Sequence, residues 1–184
     1  MPNLFPLLAA DEAPEKSRPA LRHALQAFGF VPAPLAAMSA SPTATLGFGK
    51  MLAMFDASSL GPLEREVVVL TIARAHRCHY CVAMHSSILS RSGGDASLVN
   101  ALRVGEPLGD ARLEALRTFT LAAIEHRGDV PERTLERFVE AGFAAEQALD
   151  VLVGIAAYTL STFANRLTRA PLDEAFAAFA WSEP

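Results

Sequence analysis

The stretch Glu66 to His85, EVVVLTIARAHRCHYCVAMH, concentrates the residue types that do thiol and acid–base chemistry. The chain's only two cysteines stand there as Cys78-His79-Tyr80-Cys81, and His85 follows four residues later. On a helix over 78–92, the i,i+3 and i,i+4 spacings put Cys78, Cys81 and His85 on one face. Cys78 then lies nearest the helix start, where unpaired N–H groups and the positive end of the macrodipole favour a thiolate. An imidazole one turn on can take the proton, and together these lower a cysteine pKa from ~8.5 toward neutrality. The same spacing brings two sulfurs within reach of a disulfide.

Glu66 requires a second element. Pro62 reads as the first helical position of a helix over 62–75, which carries Glu66 in its second turn. The following EVVVLTIA is apolar nearly all round, so this helix is expected at the centre of the fold. A break near Arg77 lets the cysteine helix fold back toward Glu66. Glu64 is better placed than Glu66 to serve the helix-start dipole. The main chemical competitor is zinc, held by Cys78, Cys81 and His85 with Glu66 or His76, but no second ligand pair of the usual structural kind exists. Haem attachment fails because Val82 follows the second cysteine.

Glu66, twelve residues, Cys-x-x-Cys and then x-x-x-His resembles the alkyl hydroperoxidase D (AhpD)-like branch of the carboxymuconolactone decarboxylase superfamily. The likeness is close over 60–95 and includes the ARxxxCxYC wording of its peroxidase-related members. It implies an all-α AhpD-like bundle, redox-active cysteines, and a proton relay of Glu66, Cys78, Cys81 and His85. Some AhpD proteins place a second His just before the second Cys, where this chain has Tyr80.

The implied activity is thiol-dependent reduction of a hydroperoxide. Cys81, beside His85, is expected to attack the terminal oxygen, and Cys78, at an exposed helix start, to resolve the sulfenic acid as a disulfide. The opposite order stays open because the helix dipole favours the thiolate at Cys78. A dithiol donor, in AhpD itself a lipoyl-bearing protein, then reduces the disulfide. No metal, flavin or haem is required, and no Gly-rich phosphate loop is present. Two other classes remain: a carboxymuconolactone-type decarboxylase, whose members generally lack CxxC, and a non-catalytic thiol–disulfide module.

A length of 184 residues with 51% hydrophobic content suits a single domain over 1–184 with a sizeable core. The net charge of −4 argues against a nucleic-acid or anionic-membrane partner. No basic n-region precedes the apolar start, and no apolar stretch reaches the ~18 residues of a membrane span. Two cysteines three apart give no secreted-type disulfide framework, which points to the cytoplasm.

Periodicity and caps predict helices over 17–28, 31–39, 41–57, 62–75, 78–92, 95–104, 111–127, 131–141, 144–166 and 171–181, after an arm at 1–15. The reading is one all-α domain of about eight helices. Leu149, Leu152, Val153, Ile155, Ala156 and Leu160 are expected in the core of the longest helix, with Met51 and Met54 as filler. Tyr158 and Asn165 are polar groups on that apolar helix, placed to approach the site from a neighbour or to be satisfied core groups. His76 and His79 are assigned no role; Tyr80 is a hydrogen-bond donor near the sulfurs or simple packing. An aromatic stripe of Phe176, Phe179 and Trp181 on the last helix suggests a homo-oligomer, and the resemblance implies a trimer or hexamer.

Overall fold

A computed structural model describes residues 4–182. Its α-helices are Arg18–Phe28 (α1), Ala33–Met38 (α2), Pro42–Asp56 (α3), Pro62–Ala75 (α4), His79–Arg91 (α5), Ala96–Val104 (α6), Ala111–Glu125 (α7), Glu132–Glu140 (α8) and Ala145–Thr168 (α9). Short 3-10 turns occupy Glu15–Ser17 and Glu174–Phe179, and no strand occurs among the described residues. The all-α expectation holds, with nine α-helices among the described residues where about eight were expected. Residues 1–3 of the anticipated arm lie outside the described residues.

The centre is α4. Every residue from Val67 to Ala73 is buried, because α5, α7 and α9 pack around it. A β-branched run costs a helix less than about 0.7 kcal/mol per residue. Each aliphatic side chain fully buried returns roughly 1.5–3 kcal/mol, so packing decides the outcome. Glu64 takes the helix-start duty expected of it: its Oε2 accepts the Gly61 N–H at 2.8 Å. Helices α3, α6 and α7 start on side-chain caps. Ser41 Oγ accepts from Ala44 N at 3.2 Å, Asp95 Oδ1 from Leu98 N at 2.8 Å and Asp110 Oδ1 from Leu113 N at 2.9 Å.

The break between α4 and α5 falls where it was expected. Arg77 adopts a left-handed φ of 53°, and the Cys78 N–H returns to Ala73 O at 2.9 Å. This is the five-residue-back bond of a helix ended by a left-handed residue. It sends α5 back along α4, which is what Glu66 needs in order to meet His85.

Helix α9 is turned from its expected orientation. Of the residues anticipated as core, Leu149 and Leu152 are outside, 64% and 41% exposed, while Val153 and Ile155 pack half-buried against the core. Its inward face is Val151, Gly154, Ala157, Tyr158, Ser161, Thr162 and Asn165. Small residues let α9 approach α3 closely; a Cβ on Gly154 would stand 2.6 Å from Phe55 Cε2. Met54, expected as filler, is 58% exposed. Helix α9 also corrects the membrane-span reading. It has 24 residues and a window of mean hydropathy 1.3, enough by length and composition to cross a membrane, with 33% of that window buried in the protein.

The last expected helix, 171–181, is instead a strap with a 3-10 turn at Glu174–Phe179. Tertiary hydrogen bonds replace helical ones. Arg103 donates to Phe179 O and Ala180 O, both at 2.9 Å, and Trp181 Nε1 donates to Arg103 O at 2.9 Å. The aromatic stripe is therefore consumed within its own chain. Phe176 is 1% exposed, with its ring 5.9 Å from Tyr80 and 6.0 Å from Phe30. It carries no argument for an oligomer.

Gly154→Ala should lower the denaturant midpoint of unfolding, with a cost of about 1–3 kcal/mol for overpacking. The Phe55 ring is 1% exposed and cannot swing into solvent. An unchanged midpoint at unchanged slope would show that α3 and α9 separate freely.

Candidate functional site

Cys78 is the N-cap of α5, in extended conformation, and its sulfur accepts the Cys81 N–H at 3.5 Å. The reactive group thus occupies the position where a serine or aspartate oxygen usually sits. Cys81 lies in the first turn and His85 one turn further on, both facing inward. Both cysteines are free thiols. Cys78 is 0% and Cys81 4% exposed, which corrects the expectation that Cys78 lies open at the helix start. Tyr80, Val82, Ala83 and Phe176 of the strap share their apolar cluster.

Glu66 comes from the second turn of α4, and its Oε2 meets His85 Nδ1 at 3.0 Å. Both side chains are largely covered, with 20% and 10% of their surface exposed. A carboxylate accepts only, so Nδ1 carries the hydrogen of this bond and Nε2 is left to accept or, when protonated, to give a proton. The Tyr158 ring stands edge-on to the imidazole at 5.3 Å and fixes its plane from the α9 side. Among the described residues no hydrogen bond joins His85 to either sulfur. The fold brings Glu66, His85, Cys78 and Cys81 together, but as two pairs one turn apart.

The sulfurs take their partners from α9. Asn165 Nδ2 donates to Cys81 Sγ at 3.2 Å and to Cys78 Sγ at 3.7 Å, and Ser161 Oγ lies 4.0 Å from Cys81 Sγ. Asn165 is 2% exposed. The sequence left Asn165 open between approaching the site and a core role, and Ser161 did not stand out in it. The available signal was a Ser and an Asn four apart on the inward face of an apolar helix.

These contacts split the two thiols. The hydrogen bond from the Cys81 thiol, opposed by burial and assisted by the Cys81 N–H and Asn165, lowers the Cys78 pKa to about 7. Cys81, which gives that hydrogen and is desolvated beside the Cys78 charge, is pushed well above the ordinary thiol value. One thiolate is thus favoured, on Cys78, with the remaining proton on Cys81.

Tyr80 turns away from the sulfurs. Its hydroxyl donates to Asp173 Oδ2 at 2.5 Å, and the same oxygen accepts from Ala33 N at 3.0 Å. Burial and then the Asp173 carboxylate raise the Tyr80 pKa, so Tyr80 ties the strap to α5 as a neutral phenol. His76 sits over Phe163 with Nδ1 at 2.9 Å from Thr162 Oγ1, and burial and then Arg166 lower its pKa. It lines an apolar cavity of about 900 Å³, with Met38, Leu160, Phe163 and Leu167, that neither sulfur reaches. No three His, Cys, Asp or Glu side chains converge as a metal ligand set among the described residues.

Residues 41–122 match the profile of the carboxymuconolactone decarboxylase family. No curated protein matches the sequence. Among solved structures, an AhpD-core, peroxidase-related protein from Ralstonia eutropha JMP134 superposes with a TM-score of 0.84 at 22% identity, over 94% of this chain and 93% of that one. A peroxidase-related protein from Silicibacter sp. TM1040 gives 0.78 at 20% identity, over 96% and 95%. A debrominase gives 0.78 at 19%, over 97% and 96%. At such identities the likeness is one of fold.

Ultraviolet thiolate absorbance of the reduced protein should rise by one thiolate per chain through a midpoint near pH 7, thiol below and thiolate above. Cys78→Ser should remove that step. Cys81→Ala, which takes away the donated S–H, should move it upward. Two thiols titrating together near the ordinary value of ~8.5 would contradict the asymmetry.

Proposed function

We propose that this chain is a member of the AhpD-like carboxymuconolactone decarboxylase superfamily and a thiol-dependent hydroperoxide reductase, a reading supported by the family profile over residues 41–122 and the shared fold. The observation that carries the reading is a polarised, buried thiol pair one helical turn from a hydrogen-bonded carboxylate–imidazole pair. A low-pKa thiolate supplies the nucleophile, and a directed imidazole supplies the proton that an alkoxide leaving group needs.

The sequence of steps takes Cys78 as the attacking sulfur, because its thiolate is the favoured one. This is the order the sequence left open. The Cys78 thiol gives up its proton to solvent, and His85, hydrogen-bonded to Glu66, carries a proton from solvent for the leaving group. The thiolate attacks the terminal oxygen of the hydroperoxide. An S–O bond forms, the O–O bond breaks, and the departing alkoxide takes the His85 proton to leave as alcohol. Cys81 then attacks the Cys78 sulfenic sulfur; the S–S bond forms and hydroxide leaves with the Cys81 proton as water. A dithiol donor restores both thiols by exchange, giving up two electrons and two protons and becoming the disulfide.

Further parts of the proposal concern surroundings. Two cysteines three apart, without a secreted-type disulfide framework, suit a reducing compartment such as the cytoplasm. Self-association through α9 is also part of the proposal, supported by the exposed Leu149, Phe163 and Leu167. A light-scattering mass equal to one 19.6 kDa chain would remove that last part.

One equivalent of peroxide should remove two hydrogens from the intact mass, and a dithiol should restore them. Glu66→Gln and His85→Gln should each slow peroxide consumption by about 10²–10⁴-fold, the usual worth of general acid–base catalysis. Both should still form the disulfide with a disulfide oxidant, which needs no alkoxide protonation. Disulfide formation without peroxide turnover in the unaltered protein would favour a non-catalytic redox module. Turnover of a lactone acid by a cysteine-free variant would favour the decarboxylase.

A further inference from the structure

The Asn165 side chain is used on one side only. Its Nδ2 donates to both sulfurs, while its Oδ1 is buried and has no hydrogen-bond partner. Native proteins leave few buried polar atoms in that state, and a leucine of similar size would fill the site without the orphan. The amide cannot turn over to relieve it. A thiolate on Cys78 has no hydrogen to give, so the N–H face of the amide belongs toward the sulfurs. An acceptor is therefore held ready, beside the nucleophile, for a donor that the resting protein lacks.

A hydroperoxide brings such a donor. When a thiolate lines up with the O–O bond, the oxygen under attack carries the hydrogen, and that oxygen stays with the sulfur as S–O–H. Resting on the peroxidase reading above, we infer that Asn165 is a substrate-orienting residue: Nδ2 steadies the sulfurs, and Oδ1 accepts the O–H of the hydroperoxide and then of the sulfenic acid. The hydrogen bond is never broken during the step. The S–O bond forms, the O–O bond breaks, the alkoxide takes its proton from His85, and the O–H held by Asn165 is a spectator in place throughout. The site thereby selects hydroperoxides over dialkyl peroxides, which have no O–H to offer.

The test compares two reactions of the same thiolate. Hydrogen peroxide and tert-butyl hydroperoxide carry the O–H; methyl methanethiosulfonate is a small thiol reagent with no hydrogen to donate. Rates are taken above the thiol midpoint of each variant, so that ionisation is not limiting. Asn165→Leu should lose about tenfold more in peroxide rate than in thiosulfonate rate, the effect of one hydrogen bond. Asn165→Asp keeps an acceptor but loses the donor. It should raise the thiol midpoint yet retain a peroxide-to-thiosulfonate ratio near that of the unaltered protein. Equal losses in both reactions for Asn165→Leu, or a ratio that falls as far in Asn165→Asp, would show a merely structural role. Should Asn165→Leu fail to fold, Asn165→Ala, which also removes the acceptor, takes its place in the same comparison. An unaltered protein that reacts with thiosulfonate and not with either peroxide would overturn the peroxidase reading itself, and this inference with it.

Discussion

The structure turns on one hydrogen bond, from the Cys81 backbone N–H to the sulfur of Cys78. Helix α5 has to begin abruptly because Arg77 ends α4 in the left-handed region, and a helix beginning inside a core cannot leave its first N–H groups to water. A sulfur is a poor cap as a thiol and a good one as a thiolate, since a charged acceptor strengthens the bond. The start of the helix and the ionised state of the cysteine therefore support each other. That coupling makes the same residue both the structural cap and the chemical centre.

Burial would normally work against a thiolate. Here donors are supplied from two directions, the start of α5 and the Asn165 amide of α9, and the neighbouring thiol adds its own hydrogen. The cost appears on Cys81, which keeps its proton because two adjacent buried charges could not be solvated together. The pair behaves as one acid with its steps driven apart, not as two independent thiols.

Much of this was legible in the sequence, for reasons of local geometry. The i,i+3 and i,i+4 spacings fixed which side chains share a face of α5, and Pro62 with an apolar run located α4 at the centre. The reversal at Arg77 followed from the need to bring Glu66 back to His85. Failures came where the answer depended on what covers a surface. Leu149 and Leu152 have the right periodicity for a core, but α9 packs by its small and polar face because Gly154 and Ala157 permit a close approach. Residues 171–181 have helical spacing, yet Arg103 takes the Phe179 and Ala180 carbonyls, and Tyr80 and Ala33 donate to the Asp173 side chain, so the better partners lie outside a helix. Exposure of Cys78 was misjudged for the same reason, since the strap that closes over its cluster is contiguous only in space.

The close packing of α9 has a consequence for the site. A helix that buried its leucines would present side chains too long to let amide and hydroxyl groups reach another helix's N-cap. By packing on Gly154, Ala157 and Ser161, α9 comes near enough for Asn165 to touch both sulfurs and for Tyr158 to lie against His85. The apolar residues displaced to the outside are the byproduct of that approach, which explains why so long and apolar a helix leaves so much of itself uncovered. The polarised thiols and the exposed stripe are thus two faces of one packing choice, made at the small residues of α9.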